Sequence, residues 1–160
     1  MGTAEITIPQ IILSLLLAAA LARAAWTDIA TRTIANRLNI AIAVAAPLWW
    51  WATGLGLWPG VGVQLLIAAV LLLLFGAVFA IGAMGGGDVK LITALGLWFG
   101  VREIVELLTV MALAGVVVTL CAVVGHRVAR REGRPEVPYG VAIAFAGLWM
   151  IGQRYLNQFG

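Results

Sequence analysis

The chain has 160 residues, of which 63% are hydrophobic and only 11% charged, with a mean hydropathy of +1.06. Soluble domains run nearer to about 45–50% apolar and about 25% charged, so a soluble single domain is excluded and the bilayer must be the solvent for most of the chain. The net charge of +3 and pI near 9.8 do not point to nucleic acid. The basic residues sit in short connectors between apolar runs, where they read as topology signal.

The first apolar run, residues 8–26, is long enough to cross about 30 Å of hydrocarbon. Its flank MGTAEIT has no Lys or Arg and the basic residues follow it, so it is not read as a signal peptide. A polar connector, TDIATRTIANR, comes next. Residues 38–57 form the second run, with Pro47 inside it as a source of a kink. WPG then reads as a turn. The third run, residues 61–83, carries no charge.

GGGDVK separates it from a fourth run, residues 91–101, which is short for a span. Its helix is expected to begin within or before the aspartate's own segment, or to be tilted or partly re-entrant. Residues 104–125 form the fifth run, HRVARREGRPEVP the next connector, and residues 139–155 the last run. No internal repeat or low-complexity linker is visible. The expectation is an all-α fold: one domain, residues 1–160, built as a polytopic bundle of about six transmembrane helices. Cys121 lies within the fifth run and reads as packing only. One cysteine cannot build a disulfide framework or a cysteine-rich metal site within the chain.

Lys and Arg set the orientation. The connectors between runs one and two, three and four, and five and six carry Arg23, Arg32, Arg37, Lys90, Arg127, Arg130, Arg131 and Arg134. The other side carries Arg102 and Arg154. The positive-inside rule puts the first set in the cytoplasm and both termini outside. Trp49, Trp50, Trp51 and Trp58 then cluster toward the outer end of the second run, as an aromatic belt would.

Only two of the seven acidic residues are aspartates. Asp28 lies at the cytoplasmic end of the first span, and Asp88 at the end of the third or the start of the fourth. Glu103 and Glu106 lie on the opposite side, and Glu132 and Glu136 in a basic loop. A carboxylate near the bilayer centre costs a few kcal/mol, and less near the interface. Three helical glycines would add on the order of 3 kcal/mol relative to alanine. Glycines at this cost suggest a backbone that must bend or be approached closely by another chain.

Two facing carboxylates cannot both ionise and so share a proton. The ionised member can activate water, and the protonated one can donate to a scissile carbonyl oxygen. No metal or cofactor is needed. Each residue also has a simpler reading. Asp28 can pair with Arg32 on one helix face, Asp88 can cap the fourth helix, and Lys90 can snorkel to headgroups. His126 reads as a helix-end or headgroup contact.

Read together, the motifs are more specific. Asp28 begins DIATRTIANRL and Asp88 closes GGGD within GGGDVKL. The combination resembles the type IV prepilin peptidase family, a GxGD type of membrane aspartic protease. Gly85, Gly87, Asp88, Val89 and Lys90 match its G-x-G-D-V-K motif. Asp28, Thr31, Ile34, Asn36 and Leu38 match its D-x-x-T-x-x-I-P-N-x-L-like connector, with Ala35 where proline is usual. PYGVAIAFAG, residues 138–147, looks like the opening of the family's last helix, and the likeness extends over about residues 10–155.

The resemblance implies an inner-membrane endopeptidase that removes the short basic leader of prepilins or pseudopilins at the cytoplasmic face. Asp28 and Asp88 would be its catalytic dyad, with roles not separable, while Gly85 and Gly87 would admit the substrate backbone and Lys90 lie nearby. Larger members carry a zinc-binding insertion with two CxxC pairs and also methylate the new N-terminus. This chain has one cysteine and no room for that insertion, so it resembles the short branch linked to Flp/Tad-type pili or archaeal preflagellin processing, and methyl transfer is doubtful. The expected partners are the substrate helix and the lipid bilayer, with no nucleic acid. Two other classes remain open: a small proton- or ion-conducting membrane protein, and a noncatalytic pilus-assembly scaffold.

Overall fold

The structure is a computed structural model that describes residues 6–129 and 137–156. Arg130, Arg131, Glu132, Arg134 and Glu136, assigned above to a basic loop, lie outside the described residues. Among those described are six α-helices and no strand: α1 Ile8–Thr31, α2 Asn36–Ala52, α3 Gly62–Ala80, α4 Gly86–Leu95, α5 Val101–Val128 and α6 Tyr139–Leu156. Three segments are long and apolar enough to cross a membrane: Ile8–Thr31, Leu57–Ala80 and Val101–Val128. The all-helical membrane architecture therefore stands. α2, α4 and α6 are shorter, at 17, 10 and 18 residues.

Several boundaries differ from the hydropathy reading, for local reasons. α1 continues past Trp26 to Thr31 because polar side chains there still suit a helix: the Thr27 and Thr31 hydroxyls donate to carbonyls one turn back. It stops at Arg32, whose φ of 54° is left-handed and whose N–H donates to the Asp28 carbonyl. WPG does turn the chain: Trp58 is extended, with φ −131° and ψ 131°, and the backbone bends there before entering α3.

α4 begins before Asp88, as expected, but ends at Leu95. The apolar residues beyond it, Trp98 and Phe99, belong to a turn folded into the core, where they are 2% and 0% exposed. Two of the three glycines, Gly86 and Gly87, occupy the first turn of α4 and Gly85 is its N-cap. The full penalty of glycine in a helix interior therefore does not arise.

α4 is about 15 Å long and is the centre of the bundle. It packs on α2, α3 and α6, and α6 also packs on α1 and α5. Leu91, Ile92 and Leu95 are fully buried. α3 and α5 bury little: Gln64, Ala68 and Leu71 on one, and Ile104, Leu107 and Gly115 on the other. Most of their remaining leucines and valines face outward, while Leu108 and Val110 pack partly against the core. Cys121 is exposed on α5, so the expectation of a packed thiol is corrected.

The tryptophan belt is also corrected in part. Trp51 and Trp58 are exposed, but Trp49 is buried and stacks on Trp98 with centroids 5.7 Å apart. The Trp50 indole donates to the Leu97 carbonyl at 2.7 Å and the Trp98 indole to the Ile42 carbonyl at 2.9 Å. These two bonds fasten the turn after α4 to α2.

At the same end, Arg154 of α6 pairs with Glu103 at 3.0 Å, donates to the Trp98 carbonyl at 3.2 Å and lies 4.3 Å above the Trp49 ring. Glu103 also accepts the Gly100 N–H that opens α5. Replacing Arg154 with Met should lower stability by about 1–3 kcal/mol, since a partly buried carboxylate and a carbonyl lose their donor. Thermal unfolding in detergent checks this; an unchanged midpoint would mean that the cluster is only decorative.

Candidate active site

At the opposite end of the bundle, a cavity of about 240 Å³ is lined by Asp28, Arg32, Thr33, Ile34, Gly85, Gly86, Gly87 and Asp88. Both aspartates reach it from helix ends. Asp28 is in the last turn of α1 and Asp88 in the first turn of α4, and they are 5% and 8% exposed. The structure thus brings the two aspartates singled out by sequence to one site, with Gly85 and Gly87 in its wall. Lys90 is placed elsewhere. It donates to Asn36 Oδ1 at 2.8 Å, joining the two motifs outside the cavity.

Asp28 does not form the i,i+4 ion pair with Arg32 that a continuing helix would allow. The left-handed turn at Arg32 ends the helix first, and the ion pairs among the described residues are Arg102–Glu106 and Arg154–Glu103. Instead the Asp28 carboxylate faces the backbone amides of Gly140 and Val141 in the first turn of α6. The Val141 N–H also donates to the Pro138 carbonyl at 3.2 Å, and the helix N-terminus favours an anion. Asp28 Oδ2 has no hydrogen-bond partner among the described residues.

This approach favours glycine at 140. A Cβ there would lie 2.8 Å from Asp28 Oδ2 and 2.7 Å from Ile34 Cδ1. Gly87 plays a similar role from α4, since a Cβ on it would lie 3.2–3.4 Å from the Cβ, O and N of Ile34. The two motif segments therefore touch backbone to backbone. Asn39 adds a tie, its amide donating to the Gly87 carbonyl at 3.1 Å.

Asp88 precedes the apolar part of α4 and lies outside the three spanning segments. Burial pushes its carboxyl up from 3.8 to about 6. The nearby Asp28 charge adds to the rise, and a hydrogen bond from the Gly85 backbone opposes it. That last contact is the reach of an N3 side chain back to its N-cap. The N-cap of α4 is Gly85 and not Asp88, so the expectation that Asp88 caps the helix is corrected: it stands one turn in, facing the cavity. Among the described residues, no cluster of three or more His, Cys, Asp or Glu could hold a metal ion.

Sequence reasoning did not single out Gly140 or Asn39. For Gly140 the only signal was its place in PYGVAIAFAG; for Asn39 there was none, since its partner is a backbone carbonyl 48 residues away. Gly140→Val should destabilise the chain by about 1–3 kcal/mol through overpacking. The loss should shrink when Asp28 is also replaced by Ala, because the struck carboxyl is gone. Strictly additive losses in a double-mutant thermal series would contradict the contact.

Comparison with known proteins bears on the same residues. No curated protein and no solved structure matches the chain significantly. The sequence profile of the type IV leader peptidase family matches residues 15–122. That stretch contains Asp28, Asp88, Asn36, Asn39 and the three glycines, and it ends before α6. With more than half its length matched, the chain belongs to the type IV leader peptidase family.

Proposed function

We propose that the chain is a membrane aspartic endopeptidase that removes the short basic leader of prepilins or pseudopilins. The observation that carries this reading is the shared cavity: Asp28 and Asp88 line one small space from the facing ends of α1 and α4. Family membership supports the reaction class, and two buried carboxylates supply a chemistry that needs no metal.

In this reading Asp88, whose carboxyl is pushed up to about 6, keeps the proton that the pair shares. Asp28, with an unpartnered oxygen, takes a proton from water. The hydroxyl adds to the carbonyl carbon of the scissile peptide while Asp88 protonates the carbonyl oxygen. Collapse breaks the C–N bond. The proton held by Asp28 passes to the leaving amine, and Asp88 regains its proton from the hydroxyl that becomes part of the new carboxylate.

The substrate's apolar helix would lie in lipid against the bundle, with the bond to be cut entering beside Gly85 and Asp88. The concentration of basic residues at this end supports a cytoplasmic-facing site in the inner membrane. The short connector between α1 and α2 favours the Flp/Tad-like branch of the family. Lys90, tied to Asn36, would steady the two motif segments rather than touch the peptide.

Purified protein mixed with a cognate prepilin in detergent tests the reading. Asp28→Asn and Asp88→Asn should each abolish cleavage, and full cleavage by either would sink the dyad. The pH dependence follows from the direction of the Asp88 shift. The proton on Asp88 is present below about 6 and is lost as pH rises through that value. The alkaline limb of kcat/KM should therefore lie at or above about pH 6, well above an ordinary carboxyl. A limb near pH 4, the ordinary carboxyl range, would contradict the assignment.

A further inference from the structure

Beside the carboxylate cavity, a groove of about 360 Å³ runs between α2 and α4, with Leu72 of α3 on its wall. Its mouth is cationic. Lys90 lies there with its ammonium on Asn36 Oδ1. Asn36 is also the first residue of α2, whose N-cap, Ala35, makes no side-chain capping bond. The first amides of a 17-residue helix are thus left without a side-chain acceptor, a favourable place for an anion.

One turn deeper the groove is neutral and polar. Asn39, only 4% exposed, and Thr93 line it, and the Asn39 Oδ1 and Thr93 Oγ1 atoms are buried without a partner. Buried polar atoms of this kind normally have one. One turn below them the walls are apolar, at Ala43 and Leu97. Ile40 and Leu72 are 61% and 49% exposed, so the groove opens sideways onto the apolar surface of the bundle.

Cationic mouth, neutral polar middle and apolar floor repeat, in order, the phosphate, ester and acyl levels of a phospholipid. We propose that this groove seats one anionic phospholipid. Its phosphate would rest on Lys90 and the first amides of α2, its ester region would pass Thr93, and an acyl chain would lie against Ile40 and Leu72. Basic pockets between membrane helices take anionic headgroups in this way. The inference does not depend on the peptidase reading, and its readout is lipid retention rather than cleavage.

Native mass spectrometry of the full chain, from detergent micelles containing equimolar phosphatidylglycerol and phosphatidylcholine, tests it. One phosphatidylglycerol should be retained in preference to phosphatidylcholine. The preference should fall about fivefold in Lys90→Gln and persist in Lys90→Arg. Leu72→Trp, which fills the groove from α3 without touching the cation, should remove the adduct. Equal retention of the two lipids, or a preference that survives both Lys90→Gln and Leu72→Trp, would overturn the proposal. Displacement of the adduct by inorganic phosphate would assign the cation to a free anion and overturn it equally.

Discussion

Two carboxylates are buried within reach of one another at the ends of two helices, and much of the fold is arranged around that cost. Neither is balanced by a salt bridge among the described residues. The offset comes first from backbone dipoles, the first amides of α6 toward Asp28 and the Gly85 backbone toward Asp88, with the Arg32 charge adding a smaller contribution at Asp28. Amides can approach this closely only where no Cβ intervenes, and this explains Gly140. Gly87 serves the same end by letting α4 settle against Ile34 of the α1–α2 connector. In the reading proposed here the uncompensated remainder is useful, since it keeps a proton on one carboxyl at a pH where a solvated carboxyl would have lost it.

The two ends of the bundle are built differently. At the end away from the aspartates, the strong contacts are side chain to side chain or side chain to backbone: Arg154 with Glu103 and Trp49, and the indoles of Trp50 and Trp98 on carbonyls of facing segments. Gln64, with its amide oriented to suit its neighbours, adds donors to the Gly96 and Phe99 carbonyls at 2.9 Å each. This end locks α2, α5, α6 and the turn after α4 together. The aspartate end is held by glycine contacts and single hydrogen bonds, and it contains both the cavity and the groove between α2 and α4.

Much of this was legible in the sequence because the bilayer imposes simple rules. Apolar run lengths located the helices, and the single charged interruption in the middle of the chain marked the start of α4. The pairing of Asp28 with Asp88 was also legible, since only two aspartates exist and both fall at run ends. What hydropathy could not separate was a helix from a buried turn: Trp98 and Phe99 are as apolar as any helical residue, yet they close a loop. It also could not distinguish an interfacial tryptophan from a packed one, so Trp49 was placed in a belt. Arg154 looked like a lone basic residue because its partner Glu103 lies on another helix. Gly140 and Asn39 act through backbone groups distant in sequence, and a residue pattern carries no trace of such a contact.

The account rests on Asp28 and Asp88 sensing each other's charge. The most direct test is a carbon-13 NMR titration of the Asp88 carboxyl in the intact chain and in Asp28→Asn. The account predicts a midpoint of about 6 that falls, while staying above 3.8, when the neighbouring charge is removed, because burial is the larger cause of the rise and Asp28 the second. A midpoint that does not move in Asp28→Asn would place the two carboxyls out of contact and contradict the account.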